Sequence, residues 1–348
     1  MEKAHDTVMN KQSKVTYPDK DEVKGYDFNK GIDYSAIFQT YRTMGIQSTN
    51  MHKAMELINK MLHYKGPEGQ KCKIYLGYTS NMISSGNREL IRYLCQHRLV
   101  DVICTTAGGI EEDFIKCLAK SYVGSFKVDD RELRRKGINR IGNMVVPNDN
   151  YCLFEDWINP LLKEMKDKQD AENINWTPSK MIDFLGSKID NKESVYYWCH
   201  KNNIPVFCPA ITDGSLGDVL FFNSYRNPGL RLDLVEDIRL INKSALNQAQ
   251  TGCLILGGGV IKHHIMNANL MRNGTNMAVY INTAIEYDCS DSGATCGEAY
   301  SWGKIAIDGE SVKVYSEVSL IFPVIMAETF VKYNEARMKE KKEEKAEE

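Results

Sequence analysis

The sequence lacks the features that would place it in a membrane or outside the cell. It has no apolar run of about 18 residues, which a membrane-spanning helix needs, and its first residues lack the apolar core of a signal peptide. Its ten cysteines include no Cys-x-x-Cys pair, and most lie in apolar runs, where a free cysteine acts as a small hydrophobic residue. We therefore expect a cytoplasmic protein without disulfides or structural zinc.

A strong charge of one sign is also missing. The 348 residues carry a formal net charge of -2, and 43% of them are hydrophobic. Binding to nucleic acid requires a basic face that neutralises phosphates, so this composition does not support a nucleic-acid partner. The hydrophobic share is ample for a large core in one or two domains.

Two common ligand motifs are absent as well. No Gly-x-Gly-x-x-Gly fingerprint is present, so the glycines alone give weak support to a dinucleotide site. The sequence offers no Asp-x-Asp-x-Asp cage for a metal. The adjacent His263 and His264 would point their rings apart on a helix and cannot easily share one ion. We expect no metal site.

The ends of the chain differ in composition from its middle. Residues 1–30 are polar and lysine-rich, which indicates a flexible N-terminal arm. Apolar spacing from Asp33 to about Tyr64 predicts two helices separated at Gly45, the second capped within 48–50. Residues 336–348 form a solvated charged tail. We predict a single catalytic domain over 31–335.

The middle of the chain alternates short apolar strands with helices. Strands that are apolar throughout are typical of a parallel sheet covered on both faces. The pattern predicts an α/β fold with a doubly wound, mostly parallel, Rossmann-like sheet, helices on both faces and an N-terminal helical arm. The predicted strands are 74–78, 100–104, 205–208, 253–256 and 277–281.

One segment concentrates charged and reactive side chains. Residues 290–305 read S-D-S-G-A-T-C-G-E-A-Y-S-W-G-K-I, and the residues after them alternate around Asp308-Gly309, which predicts a hairpin. A solvated loop would explain the acids, serines and glycines. Trp302 is costly to leave exposed, however, and it stands two residues from Lys304. A lysine beside an aromatic wall suits a nucleophile that attacks carbonyl-type carbons.

Small residues and acids gather where the predicted strands end. In a doubly wound sheet, ligands bind at the carboxyl ends of the strands. Loops of Gly, Ser and Thr let backbone N–H groups approach a phosphate, although tight turns need the same residues. Asp213 can hold a ribose hydroxyl, or it can simply belong to an Asp-Gly turn.

The acids point to a cationic ligand. Several carboxylates in one cleft repel one another unless a ligand neutralises them. Because the ligand set for a metal is missing, a short organic polyamine fits these acids better. The acids on or just after the strand-end loops are Glu111, Glu112, Asp218, Asp288, Asp291 and Glu298.

Six stretches, taken together and in order, resemble the deoxyhypusine synthase family. The likeness runs from about Gly25 to Phe330, which is nearly the whole chain. The stretches are S-N-M-I-S-S-G at 80–86, T-T-A-G-G-I-E-E-D at 105–113, T-D-G-S-L-G-D at 212–218, G-G-G-V-I-K-H-H at 257–264, N-T-A at 282–284, and 290–304.

The resemblance implies a cytosolic, NAD-dependent homotetramer that transfers an aminobutyl group. The donor would be spermidine, and the acceptor would be one lysine of the translation factor precursor that carries hypusine. In this family each active site forms across a dimer interface, and an N-terminal helix can cover its mouth.

The resemblance also assigns roles to individual residues. Lys304 would carry the aminobutyl imine, and His263 would act as the general base. The implied spermidine site comprises Glu111, Glu112, Asp218, His263, Asp288, Asp291, Ser292, Gly293, Glu298, Trp302 and Lys304. The implied NAD site comprises Ser80, Asn81, Met82, Ile83, Ser84, Thr106, Ala107, Gly108, Glu112, Asp213, Gly258, Thr283, Ala284, Glu317 and Val318.

The chain departs from the family pattern at a few positions. Cys289 stands where a Gly is expected, Ile285 where a Gln is common, and Glu317 where an Asp is usual. Residues 295–297 replace an Arg-Pro-Asp type of stretch. None of these changes removes a catalytic side chain, although Cys289 adds a thiol near the polyamine channel.

Two other functions stay open at this point. Homospermidine synthases resemble the same family and pass the aminobutyl group to putrescine instead of a protein. A catalytically dead subunit that activates a paralogue is the other alternative. Such a subunit would be expected to lose the nucleophile or the acids, whereas this chain keeps Lys304, His263 and Glu112.

Overall fold

The computed structural model describes residues 2–9 and 20–347. Contacts divide the chain into two units, Met1–His52 and Lys53–Glu348, and the boundary falls inside one helix, Ile46–His63. Of the predicted N-terminal arm, residues 1 and 10–19 lie outside the described residues. The expected domain limits at 31 and 335 stay a prediction.

The first unit is helical. Its helices are α1 (Glu2–Val8), α2 (Tyr34–Gln39), α3 (Tyr41–Met44) and the start of α4 (Ile46–His63). The predicted cap within 48–50 is wrong, because these residues already lie inside α4. Gly45 ends α3 with a φ of 88°, and its N–H donates to the Thr49 hydroxyl at 3.1 Å, so α4 begins at the next residue.

The second unit contains two sheets. A six-stranded sheet has the order β6-β2-β1-β7-β8-β9 with parallel neighbours throughout, and a smaller antiparallel sheet has the order β3-β5-β4. The strands are β1 (Lys73–Tyr78), β2 (Val102–Cys104), β3 (Tyr122–Val123), β4 (Ile138–Ile141), β5 (Met144–Pro147), β6 (Val206–Phe207), β7 (Thr251–Leu256), β8 (Thr275–Asn282) and β9 (Ile305–Tyr315).

Helices cover the large sheet, and their starts follow the sequence signals closely. Thr177 and Ser194 cap two of them through their hydroxyl groups. The helices of the second unit after α4 are α5 (Asn81–Ser84), α6 (Asn87–Gln96), α7 (Ala107–Leu118), α8 (Asp130–Arg135), α9 (Asn148–Glu172), α10 (Pro178–Lys188), α11 (Val195–Lys201), α12 (Ser215–Arg226), α13 (Leu234–Leu246), α14 (Val260–Leu270), α15 (Gly297–Ser301), α16 (Val318–Met326) and α17 (Lys332–Glu347).

The predicted fold class is confirmed. Strands β1, β2, β7 and β8 are buried almost completely, as their apolar sequences require. From β1 the chain proceeds to β2 and β6 on one side and then returns to β7 on the other side. The connections after β1 and β7 therefore diverge at a switch point, where doubly wound sheets form a ligand crevice.

The predicted hairpin at Asp308-Gly309 is wrong. The residues on both sides of it belong to one strand, β9, which pairs in parallel with β8. Thr275 pairs with Ile305, but Met277 pairs with Glu310, so the Asp-Gly pair lies in an irregularity of the register. The additional residues are accommodated as a bulge instead of a chain reversal.

The C-terminal region is a nearly continuous helix. A π-helical turn at Ala327–Val331 joins α16 to α17, which continues to Glu347 and includes most of the predicted charged tail. Within the described residues, no helix is long and apolar enough to cross a membrane.

Candidate active site

Four connections approach one another at the carboxyl edge of the large sheet. A Cβ atom added to Gly257 would lie 2.8 Å from the Thr79 side chain, and one added to Gly258 would lie 2.2 Å from the carbonyl oxygen of Ser292. On the β2 side, a Cβ on Gly108 would lie 2.8 Å from Ser80. Only glycine allows these close approaches, so the loops after β1, β2, β7 and β8 form one narrow crevice.

Lys304 lies beside an imidazole and an indole. Its side chain is only 9% exposed. Its Nζ is 3.4 Å from His263 Nδ1 and 5.7 Å from the centroid of the Trp302 ring. Trp302 itself is 64% exposed, so in the single chain it covers Lys304 from one side only. A buried amine within reach of a base is the arrangement that covalent catalysis by lysine requires.

His263 is positioned to accept a proton. Burial lowers the pKa of His263, and the nearby ammonium groups of Lys262 and Lys304 lower it further. Asp291 acts in the opposite direction: its Oδ1 lies 2.8 Å from His263 Nε2, although the two groups are not aligned for a hydrogen bond. The imidazole is therefore largely neutral at neutral pH.

Lys262 is a further cation in this group. It is almost fully buried, and its ammonium donates hydrogen bonds to the Ser290 carbonyl and, at 3.1 Å, to the Ser290 hydroxyl. Burial and the neighbouring Lys304 lower its pKa to about 8. We call Lys262, His263, Asp291 and Lys304 the lysine cluster.

Three of the predicted acids form a second group, the acidic cluster of Glu111, Glu112 and Asp218. Glu111 Oε2 accepts a hydrogen bond from Leu216 N at 2.6 Å in the first turn of α12. Burial raises the pKa of Glu111 to about 7, and the charges of Glu112 and Asp218 add to the increase. Glu111 thus both caps α12 and stores a proton near neutral pH.

Glu112 contacts Tyr151, which lines a cavity. The Tyr151 hydroxyl donates to Glu112 Oε1 at 3.0 Å, whereas Glu112 Oε2 is buried without a partner. Burial raises the pKa of Glu112. Tyr151 and Asp218 also line a cavity of about 430 Å³ between β4, α9 and α12. An unpaired buried oxygen beside a cavity is suited to a ligand that donates hydrogen bonds.

No direct polar contact links the two clusters in the part of the chain that the structure describes. Among the described residues, no hydrogen bond or ion pair joins the acidic cluster to the lysine cluster. Of the other predicted spermidine ligands, Asp288 accepts from Ile285 N at 2.8 Å, and Ser292 and Gly293 belong to the turn after Ser290. Glu298 is exposed at the start of α15.

The predicted cofactor residues line the carboxyl edge of the sheet. They follow β1 (Ser80, Asn81, Met82, Ile83, Ser84), β2 (Thr106, Ala107, Gly108, Glu112), β6 (Asp213), β7 (Gly258), β8 (Thr283, Ala284) and β9 (Glu317, Val318). The Thr106 hydroxyl is buried without a partner, next to the narrow crevice. Buried polar atoms and close glycines are compatible with a bound dinucleotide.

Comparison with known proteins identifies the family. The family model described as deoxyhypusine synthase matches residues 36–329. The chain belongs to the deoxyhypusine synthase family. It is therefore a transferase of the aminobutyl-transfer type.

Individual relatives agree with this family. The chain is 55% identical to a deoxyhypusine synthase of Senecio vernalis over 328 residues, with 88% of each chain covered. It is 53% identical to a homospermidine synthase of Senecio vulgaris over 328 residues, covering 88% of this chain and 89% of the relative. A crystal structure from Entamoeba histolytica, assigned to deoxyhypusine synthase, superimposes with a TM-score of 0.68 at 39% identity, covering 89% of this chain and 97% of that one.

Several residues of the site carry no signal in the sequence. Tyr151 and Lys262 were not predicted, and neither were Lys116 and Lys313, whose ammonium groups bind backbone carbonyls of the site loops. Tyr151 lies on a helix far from any motif. The lysines donate hydrogen bonds to main-chain carbonyls whose positions depend on the folded loops. Residue type and spacing therefore do not indicate which lysines belong to the site.

Proposed function

We propose that the protein transfers the 4-aminobutyl group of spermidine, through an imine on Lys304, to one lysine of the hypusine-bearing translation factor precursor in the cytoplasm. The observation that carries the proposal is the pairing of a buried Lys304 amine with His263 Nδ1 at 3.4 Å. The membership of the family and the 55% identity to a deoxyhypusine synthase support it.

The proposed chemistry uses two members of the lysine cluster, Lys304 and His263. A bound NAD would supply the hydride acceptor for the oxidation of spermidine and the hydride donor for the reduction of the final imine, so the transfer would have no net oxidation. The Lys304 amine attacks the four-carbon imine, 1,3-diaminopropane leaves, and the acceptor lysine later displaces Lys304 in the same way. His263, neutral because of its lowered pKa, takes the proton that each attacking amine releases.

The acids would bind the ammonium groups of spermidine. Asp291 and Glu298 belong to the segment that carries Lys304, while the acidic cluster lies beside a separate cavity. Trp302 offers a flat apolar surface to the carbon chain of a polyamine and a cation–π contact to its charge.

NAD would occupy the crevice at the switch point. The glycine loop after β7 lies at this crevice with open space beside Gly259, and the unpaired Thr106 hydroxyl offers a hydrogen bond to a phosphate-bearing ligand. The residues proposed to hold it are those at the carboxyl edge of the sheet that are named above, with Glu317 on the adenine side.

We further propose a homotetramer whose active sites lie across a dimer interface. This proposal is supported by the lack of a direct polar contact between the acidic cluster and the lysine cluster among the described residues of one chain. Helix α12 also carries Phe221 and Phe222, which are 55% and 51% exposed, next to Asp218. Exposed aromatic residues beside an incomplete site are typical of a surface that a second subunit covers.

A label-transfer assay tests the proposed function. Purified protein is incubated with spermidine labelled in its aminobutyl part, with or without NAD, and with the acceptor protein, putrescine or both. We expect NAD-dependent label on one lysine of the acceptor protein. Borohydride should trap label on Lys304 only when spermidine and NAD are present, and a Lys304→Ala variant should trap and transfer none.

A homospermidine synthase is the second candidate, because a homospermidine synthase matches this chain at 53% identity. Label that moves to putrescine and never to the acceptor protein would replace the proposed function with this one. Full transfer by the Lys304→Ala variant would instead show that another residue is the nucleophile. Absence of transfer to either acceptor by the wild-type protein would favour an activating subunit.

A further inference from the structure

Lys313 is a half-buried cation that the proposed reaction does not use. It lies in β9 opposite Tyr280 of β8, two residues before the end of the pairing between these strands. Its Nζ donates hydrogen bonds to Asn282 Oδ1 and to the carbonyl oxygens of Ala284 and Gly293, the last two at 3.2 Å. One ammonium group thus uses all three of its protons on acceptors from two connected loops.

The three acceptors belong to different parts of the proposed site. Asn282 and Ala284 bracket Thr283 in the connection after β8, which is proposed to hold NAD. Gly293 ends the turn that contains Asp291 of the lysine cluster. A single side chain therefore joins the cofactor side of the site to the substrate side.

Asn282 extends this connection to the crevice. Its Nδ2 donates to the Gly257 carbonyl at 2.8 Å and to the Gly293 carbonyl at 3.3 Å. Gly293 has a φ of 74°, and a Cβ there would lie 3.1 Å from Asn282 Nδ2. Because these contacts leave little space, a shift of Asn282 would be transmitted to the turn and to the glycine loop after β7.

Lys262 holds the same turn from the opposite end. It donates to Ser290, whereas Lys313 donates to Gly293, and Asp291 lies between these two residues. The Asp291 carboxylate is 87% exposed in the single chain, so its own side-chain contacts do little to fix it. Its position beside His263 depends on the backbone on either side of it.

The charge of Lys313 is only partly balanced. Cys296 and Asp288 are the titratable groups that act on it, and burial lowers its pKa to about 8. Hydrogen bonds from a charged donor are stronger than those from a neutral one. Carbonyl oxygens that lose such a donor while buried cost about 1–3 kcal/mol each.

We propose that Lys313 is a positioning residue that couples the cofactor loop after β8 to the substrate turn 290–293. This inference rests on the proposed function. Its protonated amine keeps Thr283 and Ala284 in place for NAD and, through Gly293, keeps Asp291 in place for the lysine cluster. Lys116 differs from it, because the hydrogen bonds of its ammonium among the described residues go to the carbonyls of Ile83, Ser84 and Ser85 on the cofactor side.

The Lys313→Met variant tests this role. Methionine keeps an unbranched side chain but removes all three donors. We expect its dissociation constant for NAD and its KM for spermidine each to rise about tenfold, since at least one charged hydrogen bond is lost on each side. The kcat should fall much less, because Lys304 and His263 are intact. Lys116→Met should instead weaken NAD binding more than it raises the KM for spermidine, which it can affect through its charge on Glu112.

Control variants separate positioning from simple stability. Lys60→Met removes an exposed ion pair to Glu310 on the same strand, so both ligand affinities should stay within about twofold of the wild type. Denaturant unfolding shows the conditions in which each variant is fully folded. Wild-type affinities in a fully folded Lys313→Met protein would refute the inference, even if its free energy of unfolding is lower.

The remaining outcomes are also decisive. If Lys313→Met does not fold, Lys313→Arg is used, because it keeps the charge but its planar group cannot match three converging acceptors. Both ligand affinities should then weaken together, to a smaller extent, and wild-type values would refute the inference. A wild-type protein that binds neither NAD nor spermidine would refute the proposed function, and the inference with it.

Discussion

At the scale of single residues, the site is governed by how cations are placed around one imidazole. His263 Nδ1 faces Lys304, and Lys262 precedes it in the chain. Burial and both ammonium groups lower the pKa of His263, while Asp291 raises it. The base therefore keeps its neutral form to a lower pH than an exposed histidine does.

The pH profile of the reaction should report this arrangement. A base is active only when it is deprotonated, so activity is lost as the pH falls through the pKa of His263. Lys262→Met removes one of the charges that lower this pKa, so the acid limb of kcat/KM should move upward by about half a unit to one unit.

The measurement is kcat/KM for spermidine between pH 5 and pH 8, with Lys243→Met as the matched control on the exposed side of α13. The control should leave the acid limb unchanged. An acid limb at the wild-type position in Lys262→Met would show that Lys262 does not influence the base.

Residue types indicate the reactive centre better than its supports. Lys304, Trp302 and the acids could be predicted because a nucleophile, an aromatic wall and carboxylates are chemically distinctive. Lys116, Lys262 and Lys313 could not, because each binds carbonyl oxygens of a loop whose path is set by the fold. In the sequence, a lysine that donates hydrogen bonds to main-chain carbonyls cannot be told from a surface lysine.

At the scale of helices and strands, the acidic cluster is supported by a buried ion pair. Asp113 follows Glu111 and Glu112 on α7, and it is fully buried. Its carboxylate accepts from Arg88 Nε at 2.7 Å, from the Ser194 hydroxyl at 2.6 Å and from Val195 N at 3.1 Å. One side chain thus joins α6, α7 and α11.

Replacement of Asp113 should therefore destabilise the protein strongly. Asp113→Asn leaves the Arg88 guanidinium buried without its counter-charge, which costs about 3–5 kcal/mol of unfolding free energy. Urea unfolding followed by circular dichroism measures the loss. Asp167→Asn breaks the exposed pair with Lys163 and should cost less than about 0.5 kcal/mol. Equal losses for the two variants would contradict this account.

The elements of the large sheet could be predicted because strands buried on both faces have continuous apolar sequences. The small sheet of β3, β4 and β5 could not, since its strands are two to four residues long and mostly half-exposed or exposed. The Asp308-Gly309 pair led to a wrong prediction because an Asp-Gly pair is found both in hairpin turns and in β-bulges. Pairing with β8, which the local sequence does not encode, decides between them.

At the scale of the whole molecule, the proposal that each site combines two subunits predicts how mixtures of two variant chains behave. If each site takes its acidic cluster from one subunit and its lysine cluster from another, two inactive variants can complement each other. Coexpressed Lys304→Ala and Asp218→Asn chains should recover about a quarter of wild-type transfer, because half of randomly formed dimers are mixed and each has one intact site.

The control mixture is Lys304→Ala with His263→Ala, which damages the same cluster twice and should stay inactive. Complementation is measured by transfer of the aminobutyl label, and light scattering gives the number of subunits. An inactive mixture of the first pair, with mixed oligomers present, would place each site within a single chain.

The position of Lys304 also limits what it can serve. Its backbone carbonyl accepts from Thr275 N at 3.0 Å directly before β9 begins, and its side chain is buried, so the residue is fixed to the edge of the sheet. If Lys304 carries the aminobutyl group as proposed, the acceptor amine has to move to it. A free diamine or a lysine at the tip of a projecting loop would be slender enough to reach it. A lysine on a flat or helical surface would then be excluded by its reach, without recognition of the surrounding sequence.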